Sequence, residues 1–233
     1  MKKLILFILN ILIFSNLLAQ KELTLDNSLT GIYNTSKTSQ FGVNFIGNNS
    51  LDLNKKISLD LVTNYQSRFS PKIIDNELIQ RVNLGYSKEY YDVFTTYQFN
   101  YSLVRGIQSN NWIGVGGGLK KKFNFGKISL SYAILYDNTY YMDSEITQTV
   151  RHSVRPKIKL ENKFFSVSSE YFYQPSIIDK SDYIIYGNTK LLILPQNKVN
   201  FVIQDVLNYR SISDVKTIHA LTFGLNYKFT KVY

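Results

Sequence analysis

The sequence predicts an all-β protein: a closed antiparallel transmembrane β-barrel of about twelve strands, preceded by a cleaved signal peptide. Three observations predict it. Period-two alternation recurs from about residue 23 to the end, and helical periodicity is nearly absent. Connections alternate between long and short. The apolar set on the alternating strands is too aromatic and too extended for a small core, and no helical segment stands by to cover it.

The chain opens on "MKK", followed by the short apolar run "LILFILNILIFSNLL" and then "LAQ" with the small residue Ala19. Basic start, apolar centre and small-residue cut are the layout of a secretory signal peptide, here residues 1–19. Residues 20–233 then form a single barrel domain. Export makes nucleic acid an improbable partner. The chain has no Cys, so disulfides, thiolate metal sites and thiol nucleophiles are excluded. A formal charge of +10, with Lys2 and Lys3 in the leader, points instead to anionic lipid or a basic interior. Aromatic residues reach 15%, and Tyr leads with 18. Tyr is favoured where an apolar phase meets water.

The alternation places strands at 23–34, 38–49, 55–67, 77–87, 91–104, 112–123, 127–137, 147–160, 164–174, 182–194, 198–208 and 217–229. From the third strand on, the connections read "RFSPKIIDN", "SKEY", "RGIQSNN", "NFG", "NTYYMDSEIT", "ENK", "QPSIIDKS", "PQN" and "YRSISDV". Long follows short without a break. Outer-membrane barrels do this, with short periplasmic turns and longer external loops. An even strand number places both termini at the short-turn, periplasmic side.

The faces follow from parity. In the fifth strand Tyr97, Phe99, Tyr101 and Leu103 oppose Thr96, Gln98, Asn100 and Ser102. In the eighth, Val150, His152, Val154, Pro156, Ile158 and Leu160 oppose Arg151, Ser153, Arg155, Lys157 and Lys159. In the last, Leu221, Phe223, Leu225, Tyr227 and Phe229 oppose Thr222, Gly224, Asn226 and Lys228. Apolar out to lipid and polar into the lumen is the transmembrane reading. A soluble lipocalin-like barrel would reverse it.

Thr222, Gly224, Tyr227 and Phe229 fit polar-x-Gly-x-x-aromatic-x-aromatic. This resembles the terminal-strand signal read by the machinery that inserts outer-membrane barrels, although "TKVY" extends past it. Three phrases, "RHSVRPKIKLE", "YFYQPSIIDKSDYIIYGNTKLLI" and "ALTFGLNYKF", make the chain look like the salt-induced outer-membrane protein family, whose members carry a domain of unknown function. That resemblance implies an outer-membrane barrel and no particular biochemistry.

Enzyme chemistry finds little support. The two histidines, His152 and His219, lie in phase with apolar residues, and "HS" at 152–153 splits its side chains between opposite faces. No cofactor or metal is expected. "GVGGGLKKK" lacks the Gly-Lys-Ser/Thr ending of a phosphate loop. Its Gly114, Gly116 and Gly118 alternate on the lumen face, as sheet curvature or as an open lumen wall.

The lumen charges are the sharpest feature. Arg81, Lys120, Lys122, Arg151, Arg155, Lys157, Lys159 and Lys190 fall on lumen positions, against the acids Asp60, Glu170 and Asp182. A two-residue turn at Asn162-Lys163 would set Arg155 across from Glu170 as an ion pair. A basic excess favours anions. Twelve strands lie between filled barrels and open channels. Two readings stay open here: a narrow pore leaning towards small anionic solutes, and a non-conducting structural or stress-linked envelope barrel. An outer-membrane hydrolase is the weaker third. Outer-membrane lipid and the insertion machinery are the remaining expected partners.

Overall fold

The computed structural model describes residues 22–34, 40–54, 56–70 and 72–232. The signal peptide expected over 1–19 lies outside these residues. Twelve strands run in chain order: β1 Glu22–Asn34, β2 Gln40–Asp52, β3 Ile57–Ser70, β4 Lys72–Ser87, β5 Tyr91–Ser102, β6 Ile107–Phe123, β7 Gly126–Tyr141, β8 Ile146–Glu161, β9 Phe165–Pro175, β10 Tyr183–Ile193, β11 Val199–Arg210 and β12 Thr217–Val232. Each pairs antiparallel with its sequence neighbours, and β1 pairs with β12, so the sheet closes on itself. Closure leaves no edge strand with unpaired backbone groups.

The barrel is polar inside and apolar outside. Along β12, Phe223 and Leu225 are 57% and 52% exposed, while Thr222 and Asn226 on the opposite face are fully buried. The same holds around the wall. Ile113, Val115, Leu119, Leu130, Ile134 and Phe201 face outward and exposed. Ser28, Asn64, Gln98, Asn110, Thr139, Ser153 and Gln204 face inward and buried. Water outside would penalise this arrangement, whereas hydrocarbon rewards it. Aromatic residues mark both rims. Near one end Tyr183 stacks on Tyr209 at 5.6 Å and meets the tilted ring of Tyr173 at 6.0 Å. Tyr90, Phe125 and Phe164 stand exposed on turns at the other.

Short turns have a local cause. The Asn54 side chain accepts from the backbone N–H groups of Lys56 and Ile57 at 2.8 and 2.9 Å. Asn162 does the same for Phe164 and Phe165 at 2.8 and 3.0 Å. These Asx turns substitute a side-chain oxygen for a backbone carbonyl and reverse the chain in few residues.

Most of the long connections are shorter than the sequence predicts. β3 and β4 run on through "RFSPKIIDN" with a register shift at Arg68/Phe69, leaving only one residue between the strands. β6 begins at Ile107 and β7 reaches Tyr141, so "RGIQSNN" and "NTYYMDSEIT" are largely strand. At β6 and β7 the outward positions become polar, at Ser109, Asn111 and Asn138, while at the end of β3 Phe69 still pairs with Ile73; in both places the hydrogen-bonded ladder continues past the clear apolar alternation. "TKVY" is likewise strand in its first three residues, with Thr230, Lys231 and Val232 paired to Thr24, Leu23 and Glu22.

Candidate functional site

Among the described residues, three of the lumen spaces connect along the barrel, and a fourth of about 50 Å³ beside Asp26, Glu161 and Lys190 shares Lys159 with the first of them. A vestibule of about 340 Å³ lies towards the short-turn end. A middle cavity of about 30 Å³ shares Asn83, Phe94 and Arg155 with it. An upper cavity of about 60 Å³ shares Arg81, Gln98, Trp112, Phe172 and Gln174 with the middle one.

Cations dominate the vestibule. Lys120, Lys127, Arg155, Lys157 and Lys159 line it, against Asp60 and Asp92. Lys120 donates to Ser87 Oγ. Lys157 pairs with Glu170 at 3.2 Å and Lys159 with Glu161 at 2.5 Å, yet their side chains remain 44% and 47% exposed. Among the described residues neither Lys127 nor Arg155 forms an ion pair.

The middle is narrow because aromatic rings fill it. Trp112, Ala133, Leu135 and Ile184 form an inner apolar cluster with Phe94 packed against it. Arg81 lies 4.9 Å from the Phe172 ring centre, and Arg155 lies 5.4 Å from Phe172 and 5.9 Å from Phe94. Arg81 also pairs with Glu170 at 3.3 Å. Gly116 makes room for this packing: a Cβ there would sit 2.8 Å from Phe94 Cζ and 2.5 Å from the Tyr132 carbonyl oxygen. The open-wall reading of the glycine run is therefore replaced by close packing across it.

In the upper half most charges are matched, with Arg210 the exception: it is buried, and its Nε and Nη2 have no hydrogen-bond partner. Arg151 is fully buried, donating from Nε to Asp137 at 2.6 Å and from Nη2 to Asp182 at 2.5 Å. Arg105, on the β5–β6 turn, crosses the mouth to the opposite wall. Its Nη2 donates to the carbonyl of Asn208 at 2.7 Å, its Nε to that of Val215 at 3.2 Å, and its Nη1 pairs with Glu77 at 3.5 Å. Strands β5 and β6 stand half-way round the barrel from β11 and β12, so this side chain is a crossbar. Arg105→Ala is expected to raise single-channel conductance in a planar bilayer. Unchanged conductance would locate the limiting constriction below, at Arg81 and Phe172.

The predicted basic positions thus separate into groups. Lys120, Arg155, Lys157 and Lys159 meet in the vestibule, and Arg81 stands at the constriction. Arg151 is locked in its acid pair, and Lys190 is buried against Asp26 and Asn226 at 2.8 and 2.7 Å. Lys122 lies exposed at the rim, opposite Lys127.

The expected Arg155–Glu170 pairing is corrected. The chain reverses one residue later than expected: the Asn162 N–H donates to the Phe165 carbonyl at 2.9 Å and the Asn162 side chain caps the N–H groups of Phe164 and Phe165, so Lys163 and Phe164 form the turn and every pairing shifts by two residues. That places Lys157 opposite Glu170. Lys127, Asp92 and Asp137 were legible by parity with their neighbours. Arg105 lies on a turn, where parity says nothing.

Both histidines lie on the outer face. His152 Nδ1 is 2.5 Å from Tyr132 Oη, and His219 Nε2 is 2.6 Å from Asp205 Oδ1. Ser153 is buried on the inner face, away from His152.

No family model matches the sequence, and no curated protein matches it. Solved structures do. The chain is similar to the NanC porin, with a TM-score of 0.53, 9% identity, and coverage of 89% of this chain and 99% of that one. It is similar to the KdgM porin with a TM-score of 0.49, 10% identity, and coverage of 88% and 99%. The KdgM porin in complex with disordered oligogalacturonate aligns at a TM-score of 0.48, 10% identity and the same coverage. The likeness to the NanC porin shows a shared fold, the closed barrel of porins. The resemblance to the salt-induced family rests on the quoted phrases alone.

Proposed function

We propose that the chain is an outer-membrane pore that passes small solutes with a preference for anions. The observation that carries this reading is the vestibule, where five cationic side chains line one space against two carboxylates. In the proposed orientation the short turns and both described chain ends face the periplasm. The first and last strands meet there, with Glu22 opposite Val232. The insertion machinery would read the last strand at Thr222, Gly224, Tyr227 and Phe229.

The mechanism is electrostatic. One lysine about 7 Å from a passing anion lowers its energy by ~0.6 kcal/mol at the dielectric of water, and more where the wall excludes water. Several such groups within a Debye length of about 8 Å act together and oppose cations equally. A sealed, structural barrel is the second reading, favoured by the 30 Å³ middle cavity.

Single-channel recording of the refolded protein under a salt gradient tests both. The expected result is steady current steps with an anion-favouring reversal potential. Changing Lys120, Lys127, Lys157 and Lys159 together to Gln should move that potential towards zero. Folded, inserted protein that passes no current would overturn the pore and leave the structural barrel.

A further inference from the structure

The vestibule carries a feature that general anion preference does not require: cations set directly against one another. Across neighbouring strands Lys122 faces Lys127, and Lys127 faces Lys159. Like charges directly opposite on adjacent strands are destabilising. Arg155 adds to the imbalance. Its nearest acid, Glu170, is already taken, with Oε1 engaged by Arg81 and Oε2 by Lys157. The Nε of Arg155 is buried without a hydrogen-bond partner. Its guanidinium lies 5.9 and 5.4 Å from the Phe94 and Phe172 ring centres, which brace the planar group where the side chain lines the vestibule.

We propose that the vestibule is a saturable binding site for one small, multiply charged oxyanion, held by Arg155 and Lys127. Arg155 would supply paired N–H donors and Lys127 a point charge. Ser129, on β7 with Lys127, can donate to a remaining oxygen. At about 340 Å³ the space admits such an ion with part of its hydration shell, roughly ten waters in all. Asp60 and Asp92 line the same cavity and keep the anion on the β7–β8 side. The proposal deepens the pore reading, from which it takes the vestibule as an anion path, but binding and conduction are separate measurements.

The test is equilibrium dialysis of the refolded full barrel against radiolabelled inorganic phosphate. It is run in low salt at about pH 8, where phosphate carries close to two charges. The expected result is saturable uptake approaching one phosphate per barrel. Arg155→Gln should weaken binding about tenfold or more, and Lys127→Gln severalfold. Lys180→Gln, in the β9–β10 connection at the opposite end, should change nothing. If Arg155→Gln does not fold, Arg155→Lys keeps the charge, removes the fork and should still weaken binding. Uptake that does not saturate, or that is equal in the Arg155 and Lys127 variants, overturns the site. Anion-selective current without saturable phosphate binding would sink this proposal and leave the pore standing. Saturable binding without current would do the reverse.

Discussion

Gly224→Val should keep the barrel from closing. Gly224 lies in β12 opposite Thr30 of β1, on the seam that joins the last strand to the first. A Cβ there would fall 2.1 Å from the Leu29 carbonyl oxygen and 2.7 Å from Thr30 Cα. Both obstacles are backbone, so no rotamer change relieves them. The strands would have to part, and the register pairs from Glu22–Val232 to Gly31–Phe223 depend on that contact. Each backbone group left unpaired in hydrocarbon costs several kcal/mol, so an open seam costs on the order of tens. The measurement is heat-modifiable migration after refolding, with the β signal in circular dichroism. Valine should abolish the compact band and alanine should weaken it. Gly31→Ala is the control, since its Cβ would meet nothing nearer than 3.6 Å. A compact band of normal strength from the valine variant would mean that the seam tolerates a shift.

Arg151→Met should lower stability by about 3–5 kcal/mol, read as the urea midpoint of unfolding. Arg151 holds Asp137 and Asp182 at 2.6 and 2.5 Å, and its Nη1 donates to the carbonyls of Gln174 and Asp182 at 3.4 and 3.3 Å. Asp137 also accepts from Asn110 and Thr139. Removing the arginine strands two carboxylates where water cannot reach them freely. The loss therefore comes from uncompensated charge rather than from the net strength of the pair. The triple variant Arg151→Met, Asp137→Asn, Asp182→Asn should recover most of the stability, because nothing charged is left behind. A single variant within about 1 kcal/mol of the parent would refute this account. Asp182 ends the β9–β10 connection, so the same network ties that connection to the wall. Loosening it should also make the 176–182 segment more susceptible to protease.

The basic vestibule carries the proposed function, and the fold shared with the NanC porin is a closed barrel within which such a path would lie. The charges say which solutes it would favour. The narrow middle, built by Phe94, Trp112 and Phe172, decides whether the path conducts, and the two proposed electrical and binding measurements separate those questions.

Much of this was legible in the sequence, and the reason is local. Successive strand residues point to opposite faces, so "ALTFGLNYKF" declares its lipid and lumen faces without knowledge of any partner. The twelve strands and the inward parity of Arg81, Lys120, Arg151, Arg155, Lys157, Lys159 and Lys190 follow from that rule. Its failures were also local. The rule lost the strand ends at Ser70, Lys72 and Tyr141, where charged, polar and Pro residues interrupt the apolar alternation in the sequence while the backbone ladder continues. Only the tertiary structure decided which charges meet. A partner across a strand depends on where the turn is centred, and moving that centre from Asn162-Lys163 to Lys163-Phe164 moved Glu170 from Arg155 to Lys157. A partner across the lumen depends on closure and on the stagger of all twelve strands. Those set Arg105 against Asn208 and Val215, and Lys190 against Asp26. Alternation fixes a face from one residue to the next, whereas these distances accumulate around the whole ring.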